Sequence, residues 1–279
     1  MASGTGPSSK LHAALLLLAM AAVLLAAAYL LGGPIATGLM AAILVGGWLF
    51  SPKARPAMLL RLFRAHELEP AMAPGLHGAV AALAARAGLP RPPTLYVVHN
   101  SELTAFSVGV AKDSAIGISN RLLYRLDARQ LEGIVAHEMS HIIAGDVTLL
   151  ALSQVMARLG RTMALVGFAL FVLFGALGGG PISLGALLLV CAVPLGVSLF
   201  QFALSRNREY DADRLAAVLT GDPRGLADAL QRIDADRHGA MQQFFSPLSE
   251  QRLPQFLRTH PPVADRVARL LGTGVGLAS

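Results

Sequence analysis

Cysteine is nearly absent from the chain: Cys191 is the only one and it lies inside an apolar run. A disulfide framework and a cysteine-based zinc knuckle are both excluded. Charge is also scarce, at 14% of residues against 54% hydrophobic, well to the apolar side of soluble globular proteins. The net charge is +6, but the arginines are scattered and no basic block interleaved with aromatics is present. A nucleic-acid partner is therefore not expected, and anionic lipid headgroups account more simply for arginines flanking apolar runs.

What the chain does have is long uncharged runs. Leu11 to Leu31 is about one bilayer crossing in length, and Ile35 to Phe50 follows the turn Gly32-Gly33-Pro34. A signal peptide is the competing reading, weakened by the length of the first run and by the second run so close behind it. Residues 1–50 thus read as a transmembrane hairpin, with Trp48, Phe50, Lys53 and Arg55 marking the membrane interface. From 51 to 161 the composition is that of a water-exposed part. A second hairpin is expected over 162–204, with its turn at Gly178 to Pro181, and a helical part over 205–279. That makes about four spans, the third having the shortest uncharged core. Lys10, the middle domain and the tail starting Arg206 and Arg208 carry the positive charge, whereas the turns at 32–34 and 178–182 carry none. Both termini and the middle domain are expected on the cytoplasmic side of the cell's inner membrane.

Within the middle part, Met72 to Ala87 reads as a helix stopped by Gly88. Residues 94–98, 105–110 and 114–118 read as short strands of a small sheet, and 120–126 as a short helix. Next comes His137-Glu138-Met139-Ser140-His141. On a helix the two histidines project from one face, one turn apart, and can grip one tetrahedral metal. Glu138 is poorly placed as a third ligand but well placed as a general base. Asp127 with Gln130 forms a capping-box pattern, and Gly145 is a natural stop. The intervening positions are mostly apolar, which predicts a buried helix whose histidines need partners.

With no cysteine available, the third ligand must be a histidine or a carboxylate. Glu209 in Ser205-Arg-Asn-Arg-Glu-Tyr-Asp-Ala-Asp213 is the best candidate, and Asp213, four residues on, suits a hydrogen bond to a ligand imidazole. A charge-dense juxtamembrane helix pairing arginine with acid is the alternative for the same stretch. His66, His77, His99 and His238 have no motif around them.

The combination of His137-Glu-Met-Ser-His141, Asp146, Ser205-Arg-Asn-Arg-Glu-Tyr-x-Ala-Asp213 and Thr259-His260-Pro261-Pro262 resembles the HtpX-like membrane zinc endopeptidases, relatives of the CAAX prenyl proteases. The resemblance implies zinc, one ion per chain, on His137, His141 and Glu209, with Glu138 as catalytic base and Asp213 orienting a ligand histidine. It places His260 at the active site as an oxyanion donor; the alternative makes His260 a neighbour of a helix capped by Thr259. The implied fold is a mainly α membrane protein of about four transmembrane helices with a zincin-like cytoplasmic α+β domain.

The implied activity is hydrolysis of membrane or misfolded polypeptides at the cytoplasmic membrane face, in protein quality control. Homo-oligomerisation stays open. The family often has Asn-Ala-Phe where this chain has Thr104-Ala105-Phe106, so no asparagine contribution carries over. Residues 105–110 are either a substrate-binding sheet edge or an internal strand, and the loop Gln242 to Pro254 is a candidate cover for the site. A site-two type intramembrane protease fits poorly, because Asp127, Arg129, Gln130 and Asp146 flank the motif. A non-catalytic zinc-binding scaffold is the other reading, and Glu138 speaks against it.

Overall fold

The computed structural model describes residues 7–50, 60, 65–99, 103–177, 184–244 and 261–272. In chain order the elements are α1 (Pro7–Phe50), β1 (His66–Glu67), α2 (Pro74–Ala87), β2 (Thr94–Val98), β3 (Ala105–Val110), β4 (Asp113–Ser119), α3 (Asn120–Arg125), α4 (Ala128–Ala144), α5 (Asp146–Ala176), α6 (Leu184–Thr220), α7 (Pro223–Phe244) and α8 (Val263–Leu270). Two compact units form: residues 6–53 with 148–205, and residues 1–5 and 54–147 with 206–279.

The first unit contains the apolar runs. Among the described residues, three helices are long and apolar enough to cross a membrane, over Leu11–Leu49, Asp146–Leu173 and Leu187–Thr220. The first is broken at the expected turn. Gly32 and Gly33 leave helical geometry, and Gly33 has φ +62° and ψ −151°, a conformation open essentially to glycine alone. Pro34 then restarts the helix from a position where its missing N–H is not needed.

Met20, Leu24, Ala27, Met40, Met156, Ala157, Val193 and Val197 build this unit's buried core. Outward, Leu18, Ile35, Leu39, Leu165, Phe168 and Leu188 expose large apolar surface, as lipid contact requires. Small residues let the helices approach closely: a β-carbon on Gly167 would come within 2.8 Å of Val190. One boundary between the two units lies at 147/148. Arg158 and Arg161 are exposed on α5, which runs through them without a break. A change in composition along the chain therefore does not coincide with a helix end. The expected turn at 178–181 lies outside the described residues.

The second unit is α+β. Its sheet has the order β1-β2-β4-β3, with β2 and β4 parallel and the other two pairs antiparallel. The central β4 is buried on both faces through Ala115, Ile116 and Ile118, as a strand flanked on both sides must be. β3 is an edge strand, partly exposed along its length, and it lies alongside α4. The core joins Leu83 of α2, Leu95 of β2, Ile116 and Ile118 of β4, Val135, Met139 and Ile142 of α4, and Leu226 of α7. Helix α4 thus has the sheet, α2 and α7 packed around it. Its position is fixed from several sides, which is what a site built on it requires.

Candidate metal centre

Helix α4 begins and ends where its sequence dictates. The Asp127 carboxylate accepts from the Gln130 backbone N–H at 2.8 Å, and the Gln130 side chain accepts from the Asp127 N–H at 3.2 Å. Gly145, at φ +73°, closes the helix in the left-handed region. On the buried face between these caps stand His137 and His141, 7% and 6% exposed. Their Nε2 atoms are 3.3 Å apart.

Glu209 comes from the C-terminal part of α6 and is 4% exposed. Its Oε2 lies 3.6 Å from His137 Nε2 and its Oε1 lies 4.0 Å from His141 Nε2. One ligand atom from each of His137, His141 and Glu209 falls within 4.8 Å of the others. Tetrahedral zinc with bonds of about 2.0–2.1 Å holds its nitrogen ligands about 3.3 Å apart. The imidazole pair already has that spacing, and the carboxylate stands only slightly wide of it. Two neutral nitrogens and one carboxylate oxygen are the donors a catalytic zinc takes while keeping a position open. The residues fit the metal.

The far side of the His137 ring explains its orientation. Nδ1 is 2.9 Å from Asp213 Oδ1, so it carries the proton and leaves the Nε2 lone pair facing the ligand cluster. Asp213 is held in turn by Arg266, whose Nε and Nη2 donate to its two oxygens at 2.7 and 2.6 Å. Nη1 of the same guanidinium reaches Glu209 Oε2 at 3.1 Å. Nη2 stands 3.4 Å from His137 Nδ1. Because that nitrogen already donates to Asp213, the approach is proximity rather than a hydrogen bond. Burial alone would lower the affinity of Arg266 for its proton, but the Asp213 bonds and the charges of Glu209 and Glu138 hold it above the ordinary arginine value.

At His141, Nδ1 faces Asp146 Oδ2 at 3.8 Å. Asp146 is 1% exposed and pairs through Oδ1 with Arg208 Nη1 at 2.8 Å. Burial of His141 opposes its charged form, yet Asp146, Glu138 and Glu209 together raise its pKa above the ordinary histidine value.

Glu138, the residue after His137 on α4, is partly exposed. His260 lies outside the described residues, as do Thr259 and most of the candidate cover at 242–254. The final helix starts at Val263 with Pro262 as its cap residue. Among the described residues, the motif helix is not one of the three long and apolar enough to cross a membrane.

Arg266 and Arg208 stand close to the candidate ligands, yet Arg266 lies in no sequence motif and Arg208, although inside the Ser205–Asp213 stretch, carries no role of its own in the sequence reading. For Arg266 a signal does exist: Val263, Arg266, Val267 and Leu270 share one helical stripe, and Arg266 and Val267 are buried on it. An arginine on an apolar stripe must have a buried acid.

A family model described as Peptidase family M48 matches residues 70–273. A protease HtpX homolog of Desulfatibacillum aliphaticivorans is 33% identical over 280 aligned positions, covering 95% of this chain and 89% of that protein. The protease HtpX homolog of Methylibium petroleiphilum is 34% identical, covering 92% of this chain and 95% of its own. That of Acaryochloris marina is 35% identical, covering 94% of each. With a candidate metal-ligand cluster on the matched segment and, elsewhere in the described chain, three helices long and apolar enough to cross a membrane, the chain belongs to peptidase family M48, the metal-dependent peptidases, and within it is an HtpX-like protease.

Proposed function

We propose that the chain is an integral-membrane, zinc-dependent endopeptidase that cuts membrane or misfolded polypeptides at the cytoplasmic membrane face, in protein quality control. The observation that carries this reading is the convergence of His137, His141 and Glu209 within 4.8 Å, with the partly exposed Glu138 beside them on α4. Zinc, when bound there, supplies a Lewis acid that makes water more acidic and polarises a peptide carbonyl. The two imidazoles and Glu209 hold it, and Arg266 through Asp213 fixes the ring of His137. Glu138 takes a proton from the attacking water and delivers it to the departing amine. His260 is the candidate donor to the developing oxyanion.

The edge strand β3 runs alongside α4, so an extended peptide adding to that edge would cross the cluster. For the membrane part, the break at Gly32–Gly33 supports two crossings within α1, and with α5 and α6 this makes four. Both ends of such a bundle, and the unit carrying His137, then face the cytoplasm, where the positive charge is concentrated.

Replacing Glu138 with glutamine keeps size and polarity but removes the base. Cleavage of an unfolded polypeptide by the purified protein should fall by about 10²–10⁴-fold with bound zinc retained. Unchanged cleavage would defeat the mechanism. Absence of cleavage in the wild-type protein would favour a zinc-binding scaffold.

A further inference from the structure

Asp146 and Arg208 have no part in the scheme above, yet they are among the most buried charged residues of the chain, at 1% and 3% exposed. A buried ion pair seldom adds stability over well-packed apolar side chains of the same size. What the pair faces is therefore informative. Asp146 Oδ1 lies 2.8 Å from Arg208 Nη1 as an ion pair, and Oδ2 lies 3.8 Å from Nδ1 of His141. That nitrogen is buried and makes no hydrogen bond among the described residues.

The backbone brings these groups together by two separate devices. Had α4 continued, position 146 would lie about 140° around the helix from His141. The left-handed residue Gly145 instead ends the helix, and Asp146 becomes the first residue of α5, where a carboxylate is favoured by the helix dipole. On α6, Arg208 immediately precedes Glu209. Successive helical positions are about 100° apart, so one residue addresses the Nε2 edge of His141 and the other the carboxylate behind its Nδ1 edge.

A tighter form of this arrangement serves His137, whose Nδ1 meets Asp213 at 2.9 Å, with Asp213 hydrogen-bonded by Arg266 at 2.6 Å. From this parallel we propose that Asp146, held by Arg208, is the positioning carboxylate of His141. It accepts the Nδ1 proton and keeps the Nε2 lone pair turned to the metal, so that each ligand imidazole has its own arginine-held aspartate. The inference rests on the ligand set of the proposed function. It adds that the pair acts through His141 and as one unit.

The test is zinc binding to the purified full-length protein, measured by competition with a chromophoric chelator and accompanied by thermal unfolding. Asp146→Asn should weaken zinc affinity about 10–100-fold, the range for losing a carboxylate behind a ligand histidine, with stoichiometry intact at saturating zinc. Arg208→Met should weaken it in the same direction. The double variant should be no weaker than Asp146→Asn alone to within about threefold, since residues acting as one unit are not additive.

Multiplicative losses would show that Arg208 acts elsewhere, and an Asp146→Asn affinity equal to wild type would overturn the assignment. If the variants do not fold, nitrogen-15 histidine spectra of the zinc-loaded wild type decide. The His141 Nδ1 proton should resonate downfield and exchange slowly, and exchange as fast as in free imidazole overturns the proposal. Failure of the ligand set itself looks different: the wild-type protein would bind no zinc, or Glu209→Ala would bind it undiminished.

Discussion

Exchanging Arg266 for methionine keeps most of the apolar stem and removes a guanidinium that serves two carboxylates at once. Asp213 then loses two nitrogen donors at 2.7 and 2.6 Å and keeps His137 Nδ1, and Glu209 loses the guanidinium nitrogen at 3.1 Å. Asp213 and Glu209 are 3% and 4% exposed, so water cannot replace the missing donors. Removing one member of a buried ionic cluster in this way costs about 3–5 kcal/mol. For a domain of this size, about 2–4 °C of melting temperature corresponds to each kcal/mol, which predicts a fall of about 6–20 °C in the metal-free protein.

Metal loading should shrink that difference, because the ion supplies Glu209 with a second counter-charge. Arg266→Lys restores the charge but not the planar fork, and should recover about half of the loss. The assay is thermal unfolding of detergent-solubilised protein with and without a chelator, alongside zinc affinity. A methionine variant that melts within about 2 °C of wild type and binds zinc as tightly would refute the reasoning, since neither Asp213 nor Glu209 would then depend on the guanidinium.

Gly133→Ala on α4 should destabilise by about 1–3 kcal/mol, because the new β-carbon would lie 2.9 Å from backbone atoms of Leu226, which cannot rotate away. On an exposed helix the same change stabilises, so a raised melting temperature would contradict the packing of α4 against α7. Zinc affinity should decline on acidification from above the ordinary imidazole value of about 6.5, because the pKa of His141 is raised and the proton competes for its ring. Zinc titrations across that range check this, and an affinity that stays level until well below it counts against the shift. The metal-free fold has the opposite sense. Protonated His141 stabilises it fully below the unfolded-state value, and the contribution is lost as pH rises through the raised folded-state value.

Local signals carried much of the fold. The capping box at Asp127 and Gln130 and the stop at Gly145 bound α4 in the structure as they do in the sequence. The strands over 94–98 and 105–110 were legible from bounding turn formers and β-branched or aromatic residues, and the break at Gly32–Gly33 from its turn residues. The two-residue strand at His66–Glu67 was not legible, since a pairing that short exists only because β2 offers it an edge. Nor was the unbroken course of α5, because exposed Arg158 and Arg161 change composition without disturbing helical hydrogen bonds.

At the site, spacing on one helix pointed to His137 and His141. Glu209 and Asp213 needed their four-residue spacing together with the family resemblance. Arg266, 53 residues beyond Asp213, is a long-range partner that no local pattern connects to it. Its apolar stripe shows burial, but only the fold shows which acid it meets.

The central claim is that His137, His141 and Glu209 hold one catalytic zinc. Metal content of the purified protein by atomic spectroscopy tests it most directly. About one zinc per chain is expected in the wild type and in Glu138→Gln, and loss of the metal in Glu209→Ala. A full equivalent of zinc retained by Glu209→Ala would contradict it.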